Sequence, residues 1–165
     1  MTSSNKSPLD RSEEKLQLLR KTNGILSGSM QKCRICPRKC GINRQSGRTG
    51  YCRAGIMPDV YAVCEHHGEE PPVSGKNGSG TIFFSHCNMK CVYCQNYRFS
   101  QLDEGKPMDI EALSEAMLTL EKRGCHNINL VNPTHYAPQI LLALEIAIKN
   151  GLSVPIVYNL SLIHI

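Results

Sequence analysis

The stretch "TIFFSHCNMKCVYCQN" (residues 81–96) joins a short apolar run to a loop that carries three thiols. The run 81–85 combines β-branched and aromatic residues and predicts a buried strand. Cys87, Cys91 and Cys94 follow it at C-x3-C-x2-C spacing. A structural zinc ion binds four protein ligands, so three thiols that leave one position open predict a reactive metal centre. A zinc site completed by His86 is the competing interpretation, disfavoured because the side chains of two adjacent residues would both have to turn onto one ion.

Downstream of this loop, helical and extended patterns alternate. "DIEALSEAMLTLEKRG" (109–124) predicts a helix that Asp109 begins and Gly124 ends, and "APQILLALEIAIKNG" (137–151) predicts a second. The apolar runs 127–131 and 154–158 predict two more buried strands. Strands that alternate with helices indicate a parallel sheet built by right-handed crossovers. Ligands bind outside the carboxyl ends of such strands, so the thiol loop and "NPTH" (132–135) should share a functional edge.

The N-terminal third of the chain has a different composition. Residues 1–10 are polar and predict disorder, the leucines within 11–21 predict a short amphipathic helix, and "DVYAVCEH" (59–66) predicts a strand. We therefore divide the chain into a disordered tail with a short helix (1–30), a cysteine-rich N-terminal segment (31–80), an α/β core (81–159) and a tail (160–165).

A second set of thiols lies in the cysteine-rich segment. Its members are Cys33, Cys36, Cys40 and Cys52. Residues 33–55 have no hydrophobic periodicity, and a metal could order them where packing cannot, so a second metal site is predicted; zinc and an iron–sulfur cluster both fit. Cys64 and Cys125 stand singly on apolar stretches and are interpreted as ordinary buried thiols.

Composition and charge narrow the class of protein. No signal-peptide core or apolar run of membrane-spanning length is present, which predicts a cytoplasmic protein with reduced thiols and no membrane partner. The formal net charge of +5 is concentrated in the cysteine-rich segment. Seven basic residues lie between positions 32 and 53 of that segment, namely Lys32, Arg34, Arg38, Lys39, Arg44, Arg48 and Arg53. A non-enzymatic zinc-binding module that contacts nucleic acid is therefore the alternative function, although no interleaved aromatic residues support it.

Several motifs together resemble one known family. They are "CRICPRKCGINR", "GRTGYCRAG", "HHGEEPPVSGKNGSGTIFFSHCNMKCVYCQN" and "VNPTHYAPQILLALEIA". In this order they resemble the radical S-adenosylmethionine (SAM) superfamily, and within it the subgroup similar to pyruvate formate-lyase activating enzymes. The resemblance covers about residues 30–159. It implies a fold with a cysteine-rich N-terminal extension followed by a truncated partial (β/α)6 parallel barrel.

The resemblance also implies cofactors and site residues. Cys87, Cys91 and Cys94 would hold a [4Fe–4S] cluster whose open iron binds SAM, and one electron would cleave SAM to methionine and a 5′-deoxyadenosyl radical. Tyr93 would lie near the adenine, or else simply pack on the barrel rim. Many members carry Gly-Gly-Glu after the next strand; here Asn132 or Thr134 would make that polar contact, unless Thr134 only caps the following helix.

The same resemblance suggests partners and an expectation about the chain end. The partners would be a reductant such as flavodoxin or ferredoxin and a protein substrate, a glycyl-radical enzyme being one target. The family continues past residue 159, whereas this sequence ends in "LSLIHI". We therefore expect a truncated barrel with an unrelated tail from about residue 160, a third strand exposed as an apolar edge, and weak cluster binding.

Overall fold

A computed structural model describes residues 8–160 of the protein, with side chains described from Glu13 onward. It is a mixed α/β structure around one five-stranded sheet in the order β3-β1-β2-β4-β5. The strands are β1 (Asp59–His66), β2 (Ser79–Phe84), β3 (Lys106–Pro107), β4 (Ile128–Val131) and β5 (Ile156–Asn159). The helices are α1 (Pro8–Ser29), α2 (Pro71–Ser74), α3 (Tyr97–Gln101), α4 (Ile110–Lys122) and α5 (Ala137–Lys149), with a 3₁₀ turn at Thr134–Tyr136.

The three strands predicted to be parallel are so. Gly80 pairs with Ile128 and Phe83 with Val131, and Ile128 pairs in turn with Ile156. Helix α4 connects β2 to β4 and α5 connects β4 to β5, which gives two consecutive βαβ units. The predicted strand 59–66 forms as β1. It pairs antiparallel with β2, a strand direction that the sequence pattern did not indicate.

Both crossover helices form as their patterns predicted. In α4, Leu113, Met117 and Leu120 are buried against the sheet, and the Asp109 side chain accepts a hydrogen bond from the amide of Ala112 at 2.7 Å. Gly124 ends this helix in the left-handed conformation, with φ of 91°. Helix α5 differs at its start, because the 3₁₀ turn precedes it and no side chain caps it. Thr134 therefore lies within that turn and does not cap the helix.

The N-terminal helix is longer than predicted. It begins at Pro8 and ends at Ser29, whereas the leucine pattern predicted 11–21, so three residues of the predicted disordered tail are helical. Residues 1–7 of that tail lie outside the described part of the chain. Tertiary contacts account for the extension: Glu145 of α5 accepts hydrogen bonds from Arg20 at 3.1 Å and from Asn23 at 3.0 Å.

The last strand forms one edge of the sheet. Within residues 8–160, β5 pairs with β4 alone, and Ile156 and Tyr158 are exposed, as expected for a third strand at an apolar edge. Leu160 is also exposed, and residues 161–165 of the predicted unrelated tail lie outside the described part of the chain. No helix within the described range is long and apolar enough to cross a lipid bilayer.

The join between β2 and β4 should depend on Gly80. A Cβ at this position would lie 2.8 Å from the carbonyl oxygen of Asn127, a backbone atom that accepts the Gly80 amide and cannot move aside. Gly80→Ala should therefore lower the free energy of unfolding by about 1–3 kcal/mol, as overpacking does, measured by urea denaturation. Gly24→Ala in α1 has no atom within 4 Å of the added Cβ and should be neutral or stabilising; equal losses would contradict the packing argument.

Candidate functional site

A cavity of about 330 Å³ lies at the carboxyl ends of the three parallel strands. The thiol loop after β2 forms one wall, Val131 and Asn132 at the end of β4 form the second, and Asn159 and Leu160 at the end of β5 form the third. Its volume falls at the lower end of the range for small-molecule and cofactor sites. The loops after the first two strands therefore meet at one edge, as the parallel topology predicted.

The three cysteines of the loop all line this cavity, with Cys87 buried and Cys91 and Cys94 half-buried. The Cys87 sulfur accepts a hydrogen bond from the amide of Met89 at 3.3 Å. The Cys94 sulfur lies 3.4 Å from the hydroxyl of Ser100. Polar groups at these distances favour sulfur that carries negative charge, which suits thiolate ligands of a metal.

The other two predicted site residues also line the cavity. The Asn132 amide nitrogen donates to the carbonyl of His86, and its oxygen lies 3.6 Å from the Cys87 sulfur, so Asn132 joins the end of β4 to the thiol loop. Its backbone has φ of 58°, a left-handed conformation that asparagine tolerates better than most residues. Tyr93 stands on the rim with 72% of its surface exposed, a position from which it could cover a ligand.

His86 does not join the cysteines. Its ring nitrogens lie 2.7 Å from a carboxylate oxygen of Asp103 and 2.8 Å from one of Asp59, so both are already engaged. The Tyr136 hydroxyl also donates to Asp59, at 3.3 Å. This removes His86 from the competing zinc interpretation. It also exposes a set of residues that sequence reasoning missed, since Asp59 and Asp103 are distant in sequence and no spacing pattern links them to the loop.

The cysteine-rich segment packs directly on the thiol loop. Arg38 donates to the carbonyl of Asn88, and the Tyr51 ring lies under both the Arg38 guanidinium, at 3.4 Å, and the Lys90 ammonium, at 4.6 Å. Arg53 forms an ion pair with Asp103 at 2.6 Å. These contacts tie the segment to the loop that would hold a cofactor.

Those contacts also reduce the predicted basic surface. Of the seven basic residues between positions 32 and 53, Arg44 is 1% exposed and Arg38 and Arg53 bind groups within the protein. The charge that suggested nucleic-acid contact is therefore partly internal. It stabilises the packing of the segment instead.

The second cysteine set is also brought together. Cys33, Cys36, Cys40 and Cys52 line one very small cavity between the segment and the 3₁₀ turn. Burial raises the pKa of the Cys52 thiol; the amide of Ala54 and Arg44 lower it, and Cys36 and Cys33 raise it. Cys64 and Cys125 lie elsewhere, and burial raises the pKa of each thiol, consistent with unreactive sulfur.

In neither set of thiols do the sulfur atoms converge on one point. Among the described side chains, no three His, Cys, Asp or Glu groups lie close enough together to hold a metal ion. Either a zinc ion, with sulfurs about 2.3 Å from one centre, or a cluster, with separate irons for separate thiolates, would therefore require these side chains to rotate. The 330 Å³ cavity lined by all three thiols of the 87–94 loop has the size of a cofactor site.

A parallel sheet whose first strand leads into a C-x3-C-x2-C loop, with a cofactor-sized cavity beside it, is the arrangement of radical SAM proteins. The chain belongs to the radical SAM superfamily, whose family model matches residues 81–164. Membership implies, in general, a [4Fe–4S] cluster and SAM.

A relative extends the similarity into the N-terminal segment. The uncharacterized protein MJ0674 of Methanocaldococcus jannaschii is 33% identical over 145 residues, which cover 82% of this chain and 40% of that protein. The chain therefore spans about two fifths of the length of this curated relative. No solved structure matches the chain.

A buried histidine beside the site should make stability depend on pH. Burial lowers the pKa of His135 to about 3, with Arg44 and His86 adding to the effect and the hydrogen bond to Ser85 opposing it. The folded protein keeps this ring neutral while the unfolded chain protonates it below about pH 6.5. The unfolded state therefore binds more protons between these values, and the free energy of unfolding should fall by up to about 1.4 kcal/mol per pH unit on acidification.

Urea denaturation at about pH 7 and about pH 5 measures this slope. His135→Gln, which retains an amide donor for the Ser85 carbonyl, should reduce the slope by up to one proton. His67→Gln, at an exposed histidine, is the matched control. If both variants kept the wild-type slope, His135 would not be the titrating group.

Proposed function

We propose that this protein binds a [4Fe–4S] cluster through Cys87, Cys91 and Cys94 and uses it to cleave SAM. The observation that carries the proposal is that these three thiols share one cavity with Asn132 at the carboxyl ends of three parallel strands. Three thiolates would leave one iron open for SAM. When bound and reduced, the cluster supplies the electron that splits SAM into methionine and a 5′-deoxyadenosyl radical, which abstracts hydrogen from a substrate.

The residues of the chain would position and insulate this chemistry. The Met89 amide and the Ser100 hydroxyl lie next to two of the sulfurs and would stabilise negative charge on them. Phe99 and Val131 add apolar walls that limit water in the cavity. Asn132 provides an amide at the end of β4, where it would contact the polar end of SAM, and Tyr93 on the rim would cover the adenine.

The polypeptide backbone around the cavity is unusual. His86, Lys90 and Asn132 all adopt positive φ, at 68°, 55° and 58°. Left-handed geometry costs non-glycine residues roughly 1 kcal/mol each, and such residues gather at ligand sites where the surrounding structure fixes them. The loop is therefore held in a shape that its own sequence would not select, which supports a cofactor-binding role.

The substrate and the electron donor follow from the resemblance alone. We propose a backbone glycine of a glycyl-radical enzyme as the target and a small reductant such as flavodoxin or ferredoxin as the donor. The nucleic-acid alternative keeps four exposed basic residues, Lys32, Arg34, Lys39 and Arg48, whereas Arg38, Arg44 and Arg53 bind within the protein.

Electron paramagnetic resonance provides the direct test. Anaerobically reconstituted, dithionite-reduced protein should show a [4Fe–4S]⁺ signal that changes when SAM is added. The triple variant Cys87→Ala/Cys91→Ala/Cys94→Ala should lose the signal along with its iron and acid-labile sulfide. Cys64→Ala, at a half-buried thiol outside both sets, should retain it. A signal that SAM does not alter, or that survives in the triple variant, would overturn the proposal.

Asn132 allows the cofactor contact to be separated from backbone strain. Asn132→Gly removes the amide and relieves the left-handed geometry, whereas Asn132→Ala removes the amide and retains the strain. Both variants should keep iron but show a spectrum that responds only weakly to SAM. The free energy of unfolding of the alanine variant should be about 1 kcal/mol lower than that of the glycine variant. A normal SAM response in both would show that Asn132 acts only through the packing of the loop.

A further inference from the structure

The second cysteine set, Cys33, Cys36, Cys40 and Cys52, lines a cavity of about 10 Å³. A cavity of this size admits about one water-sized sphere. The cavity beside Cys87 measures about 330 Å³, so the two thiol sets enclose very different spaces. In the structure as it stands, the smaller cavity matches a single ion in size and the larger one a cofactor.

The charge around this cavity requires an anionic partner. Arg44 is 1% exposed, and its guanidinium donates to the backbone carbonyls of Gly55 and His135. Within the described part of the chain it has no ion pair with a carboxylate. A buried charge without a counter-charge is costly. Thiolates are the anions that the cavity wall can supply, and a metal ion is what keeps several adjacent thiolates ionised.

His135 provides a second, independent observation on the same wall. Its Nε2 atom lies 2.8 Å from the Ser85 carbonyl oxygen, which can only accept, so this nitrogen carries the proton. The other ring nitrogen, Nδ1, then has a free lone pair, and it is buried with no hydrogen-bond partner among the described residues. A buried polar atom without a partner costs about 1–3 kcal/mol, so this cavity wall is incompletely satisfied in the structure as it stands.

From these observations we propose that Cys33, Cys36, Cys40 and Cys52 bind one zinc ion as four thiolates, with Arg44 as the buried counter-charge. Zinc prefers four thiolate ligands in a tetrahedron. Binding would require the sulfurs to rotate inward and release their protons, because they do not converge on one point in the structure as it stands.

Backbone hydrogen bonds form turns around two of the four cysteines. The backbone amide of Cys33 donates to the Ile42 carbonyl at 2.9 Å, and its carbonyl accepts from the Gly41 amide at 2.8 Å. The carbonyl of Cys36 accepts from the Lys39 amide at 3.0 Å. Gly50 leaves room for the Cys40 thiol, because a Cβ at position 50 would lie 2.7 Å from the Cys40 sulfur. These backbone turns bring Cys33, Cys36 and Cys40 close together, and zinc binding would rotate their side chains toward the ion.

The consequence of zinc binding would reach the other thiol loop. The segment that the ion orders carries Arg38, Tyr51 and Arg53, whose contacts with Asn88, Lys90 and Asp103 hold the 87–94 loop from outside. The zinc ion would then act as a structural support for the loop proposed to bind the cluster. The zinc proposal does not depend on that function.

Metal analysis of the full chain tests the proposal. Protein isolated without air, and then titrated with Zn²⁺, should bind one zinc ion per chain. Cys33→Ser/Cys36→Ser should lower zinc occupancy at least tenfold, whereas Cys64→Ser and the triple variant at Cys87, Cys91 and Cys94 should leave it unchanged. This pattern separates the two sites, because failure of the cluster alone would not affect the zinc count.

Two further measurements keep the test decisive if the double variant fails to fold. Co²⁺ added to wild-type protein should give the absorption spectrum of a tetrahedral thiolate site. Gly50→Ala, which displaces the Cys40 sulfur without removing a ligand, should weaken Co²⁺ binding severalfold. The proposal would be overturned if wild-type protein bound no zinc after titration, if the double variant kept it, or if the Cys87 triple variant held iron and acid-labile sulfide in place of zinc.

Discussion

The hydrogen bonds of the buried Arg44 guanidinium are the interaction on which the packing of the cysteine-rich segment against the sheet depends. The guanidinium donates to Gly55 in the cysteine-rich segment and to His135 in the turn after β4, so it links the segment to the carboxyl end of the sheet. Each of these bonds is charge-assisted and lies where water cannot replace it. Without that link the segment has few apolar side chains of its own to bury, and a segment without a core remains unfolded unless something else orders it.

A second network continues from this junction to the thiol loop. His86 lies between Asp59 at the start of β1 and Asp103 after α3, and Asp103 in turn binds Arg53 of the segment. His86, which directly precedes Cys87, is therefore held by Asp59 and Asp103, and Arg53 holds Asp103 in turn. Such support from outside explains how a short loop can hold the two left-handed residues His86 and Lys90 in place.

The sequence predicted the features that follow from local patterns. The strand and helix order from 81 to 159, the caps at Asp109 and Gly124 and the meeting of the thiol loop with Asn132 all rest on periodicity and on the geometry of parallel strands. It could not predict the antiparallel pairing of β1, the length of α1 or the His86 network. These depend on contacts between distant residues, such as Asp59 with His86, for which one sequence carries no signal.

The edge position of β5 has a consequence for selectivity. Any parallel strand that pairs with β5 must place its own carboxyl end beside Asn159, which is already part of the cavity wall. The thiol loop lies on the opposite wall and has the same ligands whatever faces it. Under the proposed function, substrate selectivity would therefore be determined by the β5 side of the cavity, across from the thiol loop.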